Sequence, residues 1–193
     1  MTNRIFLIDS ISTQFSHSAW MTDIIKKFNP TVNLVLIELP VRPLLNDIFE
    51  IVEHLKMVVT PDDLVLCAWQ VKKNIAIDTM FAELSALCTI VTAAGNAGDD
   101  ISHYSPTNIE EVITVGCLNK SGHIATLSNT SADKPMKWVC GTNFNIGERC
   151  ESGTSVSVAI YAALLALANH LKDPDYLVLA LSEYSRSVLA EIN

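Results

Sequence analysis

Short apolar runs alternate along this chain with segments whose apolar residues recur every three or four positions. The runs at 5–8, 34–39, 64–69, 89–94 and 112–118 are rich in β-branched residues and carry little polar alternation, the pattern of strands buried on both faces. Between them, Leu45, Ile48, Val52 and Leu55 fall three and four positions apart, as do Phe81, Leu84 and Leu87, which is helical spacing. The order reads strand, helix 18–28, strand, helix 44–57, strand, helix 74–87, strand. Parallel strands need a crossover between them, usually a helix. The pattern therefore predicts an α/β fold, a three-layer, doubly wound, mostly parallel sheet with helices on both faces.

After that point the texture changes. Residues 95–110 and 119–153 hold six of the seven glycines and are dense in Asn, Ser, Thr and Asp, and they read as loops around short strands, one of them marked by Trp138. An almost wholly apolar helix follows over 155–169. A last helix, 175–192, opens at Asp173-Pro174, a capping residue followed by proline at the first helical position. Its Leu177, Leu181, Tyr184 and Val188 share one face, suited to packing on the sheet or to meeting a partner subunit. No repeat, linker or composition break divides 1–193, so one domain is expected. The longest apolar run, 158–168, is 11 residues against the roughly 20 of a spanning helix, so a buried core helix is expected and no membrane segment.

Composition narrows the function classes. The 193 residues are 49% hydrophobic and 18% charged, a folded rather than disordered balance. A net charge of -8, from 13 basic and 21 acidic residues, disfavours nucleic acid as a partner, because phosphate affinity rests on Lys and Arg. The five cysteines, 67, 88, 117, 140 and 150, are odd in number and form no C-x-x-C pair, so neither a disulfide framework nor a structural zinc site is expected. The start, Met1-Thr2-Asn3-Arg4 before Ile5-Phe6-Leu7-Ile8, is too short for a signal h-region. Reduced thiols in a cytoplasmic protein are the expectation. The histidines lack ligand spacing, and Asp99-Asp100 reads as a solvated pair, so no metal is expected. No cofactor is expected either: the first strand runs into Asp9-Ser10-Ile11-Ser12-Thr13-Gln14 without a glycine, and no G-x-G-x-x-G or Walker-type loop occurs.

Four places could carry chemistry. Asp9 ends the first strand, at the edge where open α/β sheets place functional groups. His17 opens the first helix. Ala93-Ala94-Gly95-Asn96-Ala97-Gly98 follows a buried strand with small residues, which allow close backbone approach, and an Asn that can donate. Ser152-Gly153-Thr154-Ser155 opens the apolar helix, where free N–H groups and the positive end of the helix dipole meet. Each has an ordinary structural reading as a cap or turn.

Taken in order, these residues resemble the subtilisin-like serine proteases, the subtilases, whose established triad order is Asp, His, Ser. Ile8-Asp9-Ser10 is similar to the strand of the catalytic Asp, and Ser16-His17-Ser18-Ala19 to the start of the catalytic His helix. Ala94-Gly95-Asn96-Ala97-Gly98 is similar to the oxyanion motif, Val112–Gly116 and Ala125–Asn129 to the segments after it, and Gly153-Thr154-Ser155 to the nucleophile motif. The resemblance implies Ser155 as nucleophile, His17 as general base, Asp9 as its orienting carboxylate and Asn96 with the Ser155 N–H as the oxyanion hole. It implies a peptide or protein substrate held by Ala68, Trp69, Gln70, Ala94 and Gly95.

The chain departs from the family at three places. The motif His-Gly-Thr-His-Val-Ala-Gly becomes His17-Ser18-Ala19-Trp20-Met21-Thr22-Asp23, and Asp9 lies only 8 positions before His17. Ala159 stands where proline usually follows the nucleophile, and Cys67-Ala68-Trp69-Gln70 stands where Ser-Leu-Gly is usual. Large side chains there narrow the first specificity pocket, and the short loops suggest an open, shallow cleft. The family expectation is a minimal intracellular endopeptidase of restricted specificity without a propeptide. The alternative is a catalytically silent fold that binds a peptide or a partner protein; a protein partner or a homo-oligomer fits either reading.

Overall fold

The computed structural model describes residues 3–10, 16–40 and 42–190. Met1-Thr2, the glycine-free residues 11–14 and the end of the 175–192 helix lie outside the described residues. Six strands build the main sheet: β1 (Arg4–Ser10), β2 (Asn33–Leu39), β3 (Leu64–Cys67), β5 (Thr89–Ala93), β7 (Ile113–Leu118) and β8 (Lys137–Cys140). Their order is β2-β1-β3-β5-β7-β8, and every neighbouring pair is parallel. Two short antiparallel pairs stand apart, β4 (Val71–Lys72) with β6 (Tyr104–Ser105), and β9 (Phe144–Ile146) with β10 (Arg149–Glu151).

Alternation along the strands assigns the faces. Ile5 and Leu7 of β1, with Leu64, Leu66 and Val91, pack against α1 (His17–Phe28), α4 (Thr154–Leu171) and part of α5 (Pro174–Ala190). Phe6 and Ile8, with Val65 and Ile90, pack against α2 (Leu45–Val58) and α3 (Ile75–Ser85). The result is the three-layer arrangement expected. Each buried aliphatic side chain stabilises it by about 1.5–3 kcal/mol. One expectation fails at β2, whose pattern of exposure shows an edge strand with Leu36 40% exposed. A run of apolar residues reports burial in general but not whether a second strand lies beyond. A second fails at β3, which ends at Cys67, so Ala68, Trp69 and Gln70 leave the sheet instead of continuing it.

Capping sets the helix starts. Ser16 Oγ accepts from Ala19 N at 3.3 Å at the head of α1, and Asp173 Oδ1 accepts from Asp175 N and Tyr176 N at α5. Helix α4 is long and apolar enough to cross a membrane, yet most of it is buried in the fold against the sheet. The start of β1 is tied to the turn before β3 by Arg4 and Asp63, 2.6 Å apart. Burial works against the Asp63 carboxylate, but Arg4 and the Thr60 N–H hold its pKa below the ordinary value.

Candidate active site

Parallel strands end at one edge, and the candidate residues gather there. Asp9 is the sixth residue of β1, between β2 and β3, and is 2% exposed. Its Oδ1 accepts from Ser10 N at 2.7 Å, and its Oδ2 lies 2.7 Å from Nδ1 of His17, the first residue of α1. A carboxylate oxygen only accepts, so Nδ1 carries the hydrogen and Nε2 is left as the unprotonated nitrogen. The His17 side chain is 35% exposed.

Burial opposes the charged form of His17, as does the Arg149 charge. The hydrogen bond and charge of Asp9, with the charge of Glu151, outweigh them and raise its pKa above the ordinary value. Arg149 and Glu151 belong to β10, immediately before the serine loop. Arg149 Nε donates to Glu151 Oε1 at 2.6 Å, and its guanidinium lies 4.7 Å from the ring centre of Trp20 in α1. The β9–β10 hairpin thus connects the histidine helix to the serine helix.

Ser155 is the second residue of α4. Its N–H has no intrahelical acceptor, because four residues back the chain is still β10. The helix start is seated on β8: Gly153 N donates to Gly141 O at 3.0 Å and Ser157 Oγ to Val139 O at 2.9 Å. A Cβ on Gly141 would strike Ser157 Oγ, so only glycine allows that seat.

Asn96 comes from the loop after β5. Its Oδ1 accepts from Thr154 N at 2.9 Å and from Thr154 Oγ1 at 3.0 Å. Those two donors fix which end of the amide is oxygen, leaving Nδ2 as a free donor. Nδ2 and Ser155 Oγ flank the same face of Gly153, 3.2 and 3.5 Å from where its Cβ would be. Thr154 Oγ1 also accepts from Gly95 N at 3.0 Å. Asn129, fully buried, holds the loop from below: its Oδ1 accepts from Ala97 N and Asp99 N, both at 3.0 Å, and its Nδ2 donates to Ala94 O at 2.9 Å. Gly95 sits at φ +98, a conformation that favours glycine.

A cavity of about 240 Å³ opens beside Ser155. Ala68, Trp69 and Gln70 form one wall, and Ala93, Gly95 and Asn96 the other. Ala94 does not face it. That residue is fully buried, its N–H bonded to Val115 O and its carbonyl to Asn129, and Ala93 takes the place expected of it. The structure joins Asp9 to His17, and Asn96 to the Ser155 loop. No hydrogen bond joins Ser155 Oγ to His17, a contact that often tightens only when substrate is bound. Thr154 and Asn129 are the functional supports that sequence reasoning missed as individuals. Both lie inside matched motifs, but their partners are tens of residues away in the chain.

Among the described residues no group of three or more His, Cys, Asp or Glu is placed to hold a metal. Asp99 instead pairs with His103 and accepts from Tyr104 Oη, and Asp100 caps the turn at 101–103. The cysteines are free, four buried and Cys150 exposed.

Comparison with known proteins agrees with this geometry. By structure the chain is similar to a cold-adapted subtilisin-like serine proteinase, with a TM-score of 0.75 and 16% identity over 90% of this chain and 78% of that one. It is also similar to a lanthipeptide protease, with a TM-score of 0.74 and 12% identity over 99% and 88%. At those identities the likeness speaks for the fold. By sequence it is 51% identical over 85 residues to Subtilisin-like protease 1 of Pseudogymnoascus destructans, covering 40% of this chain and 21% of that protein. It is 45% identical over 56 residues to a cuticle-degrading serine protease of Orbilia oligospora, covering 29% and 12%. The match thus spans about a fifth or less of those relatives' own length. The model of the Subtilase family matches residues 66–184, from the third strand of the sheet through the serine helix into α5. With well over half of the chain inside that match, and a fold of the same architecture around it, the chain belongs to the subtilase family.

Proposed function

We propose that this chain is a serine endopeptidase of restricted specificity that hydrolyses peptide bonds through an acyl-enzyme inside the cell. The observation that carries the reading is the 2.7 Å contact between Asp9 Oδ2 and His17 Nδ1. It sets the tautomer in which Nε2 is the base. Ser155 Oγ attacks the scissile carbonyl while His17 Nε2 takes its proton. The carbonyl oxygen becomes an oxyanion, met by Asn96 Nδ2 and the Ser155 N–H. Collapse expels the amine, which leaves with the proton from His17, and the acyl group stays on Ser155. Water then attacks the ester, again giving its proton to His17, and the acid is released with the serine restored. Asp9 stabilises the imidazolium in both halves.

Restricted specificity is supported by the side chain of Gln70, which lines the cavity beside Ser155. A cytoplasmic setting is supported by five free thiols and no disulfide among the described residues. The test is labelling with a small fluorophosphonate, read by intact mass on the wild type and on Ser155→Ala. One adduct on the wild type and none on the variant is expected. A well-folded wild type that takes up no probe would overturn the reading and favour the silent, peptide-binding alternative, for which the missing Ser155–His17 hydrogen bond is the supporting observation.

A further inference from the structure

The wall opposite the oxyanion loop carries a side chain whose position has a consequence for substrate choice. The amide of Gln70 lies directly on Gly95, with Cδ, Oε1 and Nε2 all inside the space that a Cβ on Gly95 would occupy. Gly95 is the residue before Asn96, so this amide sits against the loop that presents the oxyanion donor. Trp69 is not the obstruction. Its ring is anchored on Phe81 of α3, centroids 5.9 Å apart and edge-on at 73°, and packs with the core on that face of the sheet. Gln70 Oε1 is buried and has no hydrogen-bond partner among the described residues. An acceptor in that state is held in place by packing.

We propose that Gln70 closes the cavity beside Ser155, so that the residue supplying the scissile carbonyl is limited to glycine, alanine or serine. This rests on the acyl-transfer reading above. The side chain of that residue must lie next to the nucleophile and the oxyanion donors, and the cavity shared by Ser155, Asn96 and Gly95 is the space that meets both. At about 240 Å³ it is smaller than ordinary ligand pockets of roughly 300–1,000 Å³. Part of that volume must also hold the substrate backbone. A small side chain fits what remains. A phenylalanine or leucine side chain would have to displace the Gln70 amide from Gly95.

The test uses two peptidyl diphenyl phosphonates, identical except for a terminal alanine or phenylalanine analogue. Each is reacted with the wild type, Gln70→Gly and Gln70→Ala, and second-order rates of adduct formation are read by intact mass. The wild type is expected to react at least tenfold faster with the alanine probe. Both variants are expected to raise the phenylalanine-to-alanine ratio at least tenfold, a ratio internal to each protein and so insensitive to partial loss of folding. Equal rates on the wild type, or an unchanged ratio in variants that still react with the small fluorophosphonate, would overturn the proposal and leave the acyl-transfer reading standing. If the small fluorophosphonate labels nothing, it is the acyl-transfer reading that fails. The cavity is then read by NMR titration with tetrapeptides ending in alanine or phenylalanine. Preference for alanine on the wild type, relaxed in Gln70→Gly, supports the closure; equal or absent binding overturns it.

Discussion

Thr154 controls the candidate oxyanion donor without itself touching substrate. Its N–H and hydroxyl hold Asn96 Oδ1, and its hydroxyl oxygen receives Gly95 N–H. Replacing it with valine keeps the shape and the N–H but removes the hydroxyl from both of its bonds. Asn96 then loses one of two donors that fix its amide, and a buried Gly95 N–H is left unpaired. A displacement of that kind costs up to on the order of 10²-fold in rate. Thr154→Val is expected to lower kcat much more than it raises KM, and Thr154→Ser to restore most of the loss. A kcat unchanged in Thr154→Val would show that Asn96 is held by the backbone alone. The histidine makes a second prediction at this scale. On the proposed mechanism only neutral imidazole takes the Ser155 proton, so with a raised His17 pKa the acid limb of the pH–rate profile is expected above the ordinary histidine value. Replacing Glu151 with glutamine removes a charge that raises that pKa and frees Arg149, whose charge lowers it. Both changes have the same sign, so in Glu151→Gln the His17 titration followed by NMR moves to lower pH. A shift to higher pH, or none, would mean that the β9–β10 hairpin does not act on His17.

At the scale of elements, the amount legible in the sequence depended on the range of the forces involved. Strands β1, β3, β5 and β7 and helices α1 to α3 follow from local apolar periodicity, because each buries a face that its own spacing defines. The Asp173 cap of α5 was legible for the same reason, since the side chain and the N–H groups it meets are neighbours in sequence. What was not legible depends on distant partners. The edge position of β2 depends on which strand lies next to it. The pairing of Val71–Lys72 with Tyr104–Ser105 joins segments with little apolar pattern of their own. The hairpin β9–β10 sits in a stretch that reads as loops around short strands without saying which of them pair, and nothing in Arg149-Cys150-Glu151 predicts a guanidinium over Trp20. In the candidate site, Asp9, His17, Asn96 and Ser155 were found through motifs. Thr154 and Asn129 acquire their roles only when the 94–99 loop is laid across the start of α4, which no local pattern encodes.

For the whole molecule, the candidate site is divided between elements rooted at different places, and α4 is what holds them in register. It packs on α1, which carries His17, on α5, and across β1, β3, β5, β7 and β8 of the sheet. Ala159, Ala162 and Ala163 are fully buried, and Asn29 at the end of α1 donates from Nδ2 to Ala163 O at 3.3 Å. Small side chains let the buried faces of the helix lie close to its neighbours, where close packing leaves little room for added volume. Ala163→Leu adds branched bulk where α4 meets α1, and overpacking of this kind costs about 1–3 kcal/mol. The expected outcome is a lower urea midpoint with an unchanged slope. Fluorophosphonate labelling of Ser155 under native conditions should slow as well, because the serine helix can relieve the strain only by moving relative to the histidine helix. Met57→Leu, on a side chain 77% exposed, serves as the control and is expected within about 0.5 kcal/mol of the wild type. Should Ala163→Leu leave both the midpoint and the labelling rate where they were, α4 would be a passive filler, and the register of His17 and Ser155 would have to come from the β9–β10 hairpin instead.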